Sequence, residues 1–89
     1  MEATFYYIDY SIKDYHDGSQ NVVKIVWENG CEEHYKDGVL HRDGGLPALV
    51  HSDGSKEYFT NGKRRTRADG PAIEWASGEV VYEDEEPTL

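Results

Sequence analysis

The sequence predicts an all-β protein, an antiparallel meander of serial β-hairpins with little or no helix. Three observations predict it. Turn dipeptides that end in glycine, Asn29-Gly30, Asp53-Gly54 and Ser77-Gly78, recur every 24 residues. Each follows an aliphatic residue at a fixed offset (Ile25, Leu49, Ile73) and precedes a ring at a fixed offset (His34, Tyr58, Tyr82). No stretch keeps a helical apolar period for more than two turns.

The elements follow in order along a single domain, residues 1–89. Residues 1–20 read as an N-terminal capping strand: Thr4 to Ile12 alternates, with Tyr6, Ile8, Tyr10 and Ile12 on one side, and the end of a repeat sheet needs a cap. Tyr15-His16-Asp17-Gly18 echoes Tyr35-Lys36-Asp37-Gly38, the trace of a degenerate first unit. Residues 21–83 form three 24-residue hairpin units, whose flanking runs (Val22 to Trp27, Ala48 to His51, Ala72 to Trp75, Glu79 to Tyr82) are rich in β-formers. Read as two-residue turns, with glycine supplying φ > 0, they set Ile25 opposite His34, Leu49 opposite Tyr58 and Ile73 opposite Tyr82. Trp27 and Trp75 lie two residues along on the same face, so this face is the expected core. Asp37-Gly38 and Asn61-Gly62 are a second turn set that joins one hairpin to the next. Arg42-Asp43-Gly44 and Arg67-Ala68-Asp69-Gly70-Pro71 are longer links, and residues 84–89 are an acidic tail. The expected sheet has about seven to nine strands.

Composition bounds the function. Nine basic and eighteen acidic residues give a net charge of −9, which disfavours direct binding to nucleic acid or to an anionic membrane. The charge is uneven: −5 over residues 1–40, +2 over 41–70 and −6 over 71–89. Seven Tyr, two Trp and two Phe set the chain apart from a disordered acidic tract. Cys31 is the only cysteine, which excludes an internal disulfide. With no signal-peptide layout at Met1 to Tyr10 and no long apolar run, a cytoplasmic protein is expected.

The residues also resemble a known family. Trp27-Glu28-Asn29-Gly30 through Tyr35-Lys36-Asp37-Gly38 is similar to the MORN repeat. The match is closer to a MORN-like repeat of phage and giant-virus proteins, through His41-Arg42-Asp43-Gly44, Pro47-Ala48, Asp53-Gly54-Ser55, Tyr58-Phe59-Thr60-Asn61-Gly62-Lys63 and Arg67-Ala68-Asp69-Gly70-Pro71-Ala72. The resemblance covers about residues 21–83 and implies a scaffold of serial hairpins. The sequence departs from the pattern where Gly45-Leu46 breaks the Asp-Gly-Pro-Ala run and where Glu85-Glu86 replaces Asn61-Gly62.

Candidate contact residues are the acids around two hairpins, Glu28, Glu32, Glu33 and Asp37 at the first and Glu79 and Glu83 at the last, together with Tyr35. Carboxylates two residues apart on a strand share a face at roughly 7 Å, near the phosphate spacing of a nucleic-acid strand. That spacing is how a protein imitates DNA; the plainer function of such acids is to keep a sheet edge from pairing. Tyr6, Tyr7, Tyr10, Tyr15 and Tyr35 cannot all be buried in a single-layer sheet, and exposed tyrosines favour protein contact. Lys63-Arg64-Arg65-Thr66-Arg67 reads as balance for neighbouring acids. Cys31 and His34 lack the second ligand pair of a zinc site, and His34 and His51 fill ring positions of the repeat. No catalytic motif is present. The expectation is therefore a small protein-binding module without cofactor or metal, not an enzyme. In its sharpest form it is a phage-type stoichiometric inhibitor of a host defence or nucleic-acid enzyme, anti-CRISPR-like or a DNA mimic, working in the host cytoplasm. The alternative is a structural or assembly protein that forms homo-oligomers through its sheet edges.

Overall fold

The computed structural model describes residues 2–64 and 70–82. Among these the chain is all-β and built of antiparallel hairpins. Its strands are β1 (Ala3–Tyr7), β2 (Ile12–Lys13), β3 (Val22–Trp27), β4 (Glu32–Lys36), β5 (Val39–Leu40), β6 (Leu49–Val50), β7 (Lys56–Glu57), β8 (Phe59–Thr60), β9 (Lys63–Arg64), β10 (Ile73–Glu74) and β11 (Val80–Val81). One sheet runs β2-β1-β3-β4-β6-β7-β10-β11, with β5 beside β4, and β8 pairs with β9 separately. No helix among the described residues is long and apolar enough to cross a membrane.

The repeating turn is one residue longer than the two-residue turn expected. The Trp27 amide donates to the Cys31 carbonyl and the Gly30 amide to the Trp27 carbonyl, both at 2.9 Å. The same pair of bonds joins His51, Gly54 and Ser55, and again Trp75, Gly78 and Glu79. This is a three-residue loop, a tight turn followed by a left-handed glycine, with φ of 95° at Gly30, 94° at Gly54 and 99° at Gly78. The middle residue of each loop caps it. Asn29 Oδ1 accepts the Cys31 amide at 3.0 Å, Asp53 Oδ1 the Ser55 amide at 2.8 Å, and Ser77 Oγ the Glu79 amide at 3.4 Å, the Asx and Ser turns these residue types favour.

The extra loop residue moves every pairing by one. Ile25 stands opposite Glu33, Leu49 opposite Glu57 and Ile73 opposite Val81. The expected partners His34, Tyr58 and Tyr82 therefore do not share the face of the aliphatics, because side chains alternate strictly along a strand. Tyr58 is still buried, but its hydroxyl bonds Glu74, a neighbour of Ile73 on the other side of the sheet. Tyr82 is 66% exposed. Trp27 and Trp75 keep the aliphatic face, although Trp75 is an exposed rim residue.

The corrected register draws one row across the sheet: Phe5, Ile25, Glu33, Leu49, Glu57, Ile73 and Val81, each paired with the next. The core lies on this face at the N-terminal end. Tyr7, Val22 and Ile25 are buried together, and Ala3, Phe5, Trp27 and Tyr35 pack against them. Ile25 and Ile73 are buried; Leu49 is half-buried.

The second turn set is as expected. Asp37 and Gly38 (φ 51° and 83°) and Asn61 and Gly62 (φ 51° and 83°) are both left-handed at two successive positions, the mirror-image turn that matches strand twist. They close the β4–β5 and β8–β9 hairpins. His41 ties the second turn to the link at Asp43: its Nδ1 accepts the Asn61 amide at 2.9 Å, which leaves the proton on Nε2 to bond Asp43 at 2.8 Å.

The N-terminal segment is a hairpin rather than one capping strand. The Tyr7 amide donates to the Ser11 carbonyl and the Tyr10 amide to the Tyr7 carbonyl, while Asp9 Oδ1 accepts the Ser11 amide at 2.9 Å. This is the same loop a fourth time, displaced 20 residues from the next one, and its register (Phe5 opposite Lys13, Tyr6 opposite Ile12) repeats that of Ile25/Glu33 and Val26/Glu32. The hairpin is turned over, so β1 rather than β2 pairs with β3. The connecting segment 14–21 crosses back over the core, anchored where the Tyr7 hydroxyl donates to the Tyr15 carbonyl and accepts the Asp17 amide, each at 3.0 Å.

Candidate functional site

The acids singled out by sequence do not form one surface. Glu32 and Glu33 are strand neighbours and point to opposite faces. Glu32 lies 3.5 Å from the Lys24 ammonium and 3.6 Å from His34. Glu33 is half-buried on the core face, where its carboxylate accepts the Trp27 indole N–H and the Tyr35 hydroxyl. Burial and the Glu33 carboxylate push the Tyr35 phenol well above its ordinary pKa. Glu33 and Tyr35 are thus internal partners rather than an exposed contact. Glu28 and Asp37 are exposed, at the β3–β4 loop and the β4–β5 turn. Glu79 is exposed beside β11, across the sheet from both, and Glu83 lies outside the described residues.

Glu57 repeats the role of Glu33 one unit later. It accepts His51 Nε2 at 2.6 Å and Arg64 Nη1 at 3.4 Å. In both units a ring nitrogen six residues before the glutamate reaches it across the loop. The third unit has Trp75 and Val81 at these places, so this ring–glutamate pair is not repeated there. The signal for this pair was the 24-residue spacing of Glu33 and Glu57 itself, which sequence reasoning passed over in favour of acids counted as surface.

On the other face, His34 is buried. Its Nε2 accepts Arg42 Nη1 at 3.1 Å, and the same guanidinium bonds the Pro47 carbonyl at 3.2 Å. Burial, then the Arg42 charge, hold His34 below its ordinary pKa, although Glu32 acts the other way. Among the described residues no three His, Cys, Asp or Glu side chains converge as a metal site.

The surface that does stand out is the first hairpin. Ile8 is 67% exposed, Tyr10 94% and Ile12 62%. Together with Tyr6, Tyr7, Ser11 and Val23 they line a shallow groove of about 450 Å³. Tyr10 sits where the other three loops have glycine, and holds φ of 70°. A left-handed conformation costs a bulky residue roughly 1–2 kcal/mol, and a side chain 94% exposed packs too little among the described residues to offset it. Of the five tyrosines expected to compete for burial, Tyr7 is buried, Tyr6 and Tyr35 are half-buried, and Tyr10 and Tyr15 are exposed.

Comparison with protein-family models, with curated proteins and with solved structures finds no match to this chain.

Proposed function

We propose that this chain is a protein-binding module that acts by occupancy and performs no reaction of its own, and that its contact is the N-terminal hairpin. One observation carries this: Tyr10 keeps a strained backbone at a glycine position while exposing 94% of its surface. Strain retained without a packing gain is a feature of binding sites, and an exposed tyrosine flanked by Ile8 and Ile12 is the composition of an interface centre. In its sharper form the partner is a host defence or nucleic-acid enzyme, and the chain a stoichiometric inhibitor from a phage or mobile element, in the host cytoplasm. That sharper form rests on the MORN-like resemblance of the residue pattern. Imitation of DNA by Glu32 and Glu33 receives no support, since one is neutralised by Lys24 and the other is internal.

The assembly alternative finds one favouring observation: β2 and β11 lie at the ends of the sheet order, and Val80 on β11 is exposed. Both are two-residue strands, and short edges are how natural sheets resist pairing, so this reading ranks second.

The test is capture from bacterial lysate by the wild type, Tyr10→Gly, Ile12→Ser and Glu32→Lys/Glu33→Lys in parallel, with light scattering on each pure protein. A partner retained by the wild type and the charge variant but lost by Tyr10→Gly and Ile12→Ser supports the proposal. A partner lost only by the charge variant contradicts it. A concentration-dependent oligomer without any partner replaces it by the assembly alternative.

A further inference from the structure

We propose a second binding site, a cavity on the core face that takes the guanidinium group of an arginine side chain from a partner peptide. The cavity, about 650 Å³, lies between the start of β1, the β3–β4 loop and the 14–21 crossing. Its apolar walls are the rings of Phe5, Tyr15 and Trp27, and its rim carries three carboxylates, Glu2, Asp14 and Glu28. His16 closes one side, edge-on to Phe5 at 5.6 Å, with its Nδ1 held by the Gly18 amide at 2.8 Å.

The rim carboxylates differ from the other acids nearby. Asp17 is 3.5 Å from Lys13 and Glu32 is 3.5 Å from Lys24. Glu2, Asp14 and Glu28 form no ion pair among the described residues, and no lysine or arginine is among the residues that line the cavity. Lys13, paired with Asp17, lies over the Tyr15 ring at 5.6 Å from its centroid, which leaves Phe5 and Trp27 as the walls without a cation among the described residues. Trp27 donates its indole N–H to Glu33, which fixes the ring as a wall. Aromatic faces and carboxylates attract cations jointly. Because the carboxylates are spread around a rim and do not converge as metal ligands do, the favoured cation is broad and planar. Guanidinium meets both needs, stacking on a ring while its fork bonds carboxylates. Glu28 is thereby an acid singled out by sequence that lines a cavity. The site lies on the opposite face from the Tyr6 and Ile12 side chains, so it stands or falls independently of the hairpin contact.

The test uses Trp27 emission in a Trp75→Phe background. An acetylated, amidated Gly-Arg-Gly peptide is titrated at low salt beside its citrulline counterpart and beside choline. The arginine peptide should shift the emission saturably. The citrulline peptide should bind at least about tenfold more weakly, as should arginine to Asp14→Asn/Glu28→Gln, a change of about 1.4 kcal/mol or more. Both substituted residues are exposed, and an unchanged melting temperature shows that the double variant is folded. Equal binding of citrulline, indifference to the double substitution, or no saturable shift up to about 10 mM overturns the site. Choline binding as tightly as arginine overturns the guanidinium assignment.

Discussion

Tyr10 and Gly30 occupy the same place in successive hairpin loops, each donating its amide to the residue three before it at 2.9 Å. Glycine reaches φ of 95° there freely, whereas tyrosine holds φ of 70° against its own Cβ. Tyr10→Gly should therefore stabilise the fold by about 0.5–1 kcal/mol, the left-handed cost of roughly 1–2 kcal/mol less the extra chain entropy of glycine. The urea midpoint measures it; a midpoint below the wild type would show that Tyr10 contributes packing.

The loop glycines and the connecting-turn glycines should respond differently to alanine. A Cβ at Gly54 meets nothing within 4 Å, so Gly54→Ala carries only the backbone cost, roughly 1–2 kcal/mol. A Cβ at Gly62 comes 3.2 Å from the Val39 Cβ, so Gly62→Ala adds crowding to the same strain. The expected order of urea midpoints is wild type, Gly54→Ala, then Gly62→Ala, and equal midpoints would contradict the close approach of β5 to the second turn.

Glu33 accepts two donors on the core face, the Trp27 indole and the Tyr35 hydroxyl. Glu33→Met removes the acceptor of both donors and should cost about 1–2 kcal/mol. A surface glutamate would be replaced with almost no effect. Chemical denaturation separates these, and the Trp27 indole proton in NMR should move when the carboxylate is removed.

Stability should fall with acid in a way that His34 contributes to. Its folded pKa lies below the ordinary 6.5, so below about pH 6.5 the unfolded chain binds the proton that the folded chain resists. The contribution is complete above that pH and is lost as pH falls toward the folded value. Glu32, Arg42 and Lys24 are the charged groups around it. Melting temperatures of wild type and His34→Gln between pH 7.5 and pH 5 test the sign: the wild type should drop more steeply.

Much of the fold was legible because glycine reports backbone geometry directly. Gly30, Gly54 and Gly78 marked the units, Asp37-Gly38 and Asn61-Gly62 marked the joining turns, and Ile25, Leu49 and Ile73 marked one face. The register was not legible, because Asn-Gly suits a two-residue turn as well as the last two positions of a three-residue loop. That single residue moved Glu33 from the presumed surface to the core face. The first hairpin was hidden for two reasons: Tyr10 replaces its glycine, and its spacing is 20 residues rather than 24. The echo of Tyr15-His16-Asp17-Gly18 in Tyr35-Lys36-Asp37-Gly38 carried that shorter spacing, and Asp9 with Ser11 carried the loop cap.

The most direct test of the hairpin contact is amide hydrogen exchange of the chain alone and bound to its captured partner. Protection gained at residues 8–12, with residues 32–37 and 79–82 unchanged, is the expected result. Protection gained at residues 32–37 or 79–82 with none at residues 8–12 would contradict it, and would return the contact to the acidic hairpins.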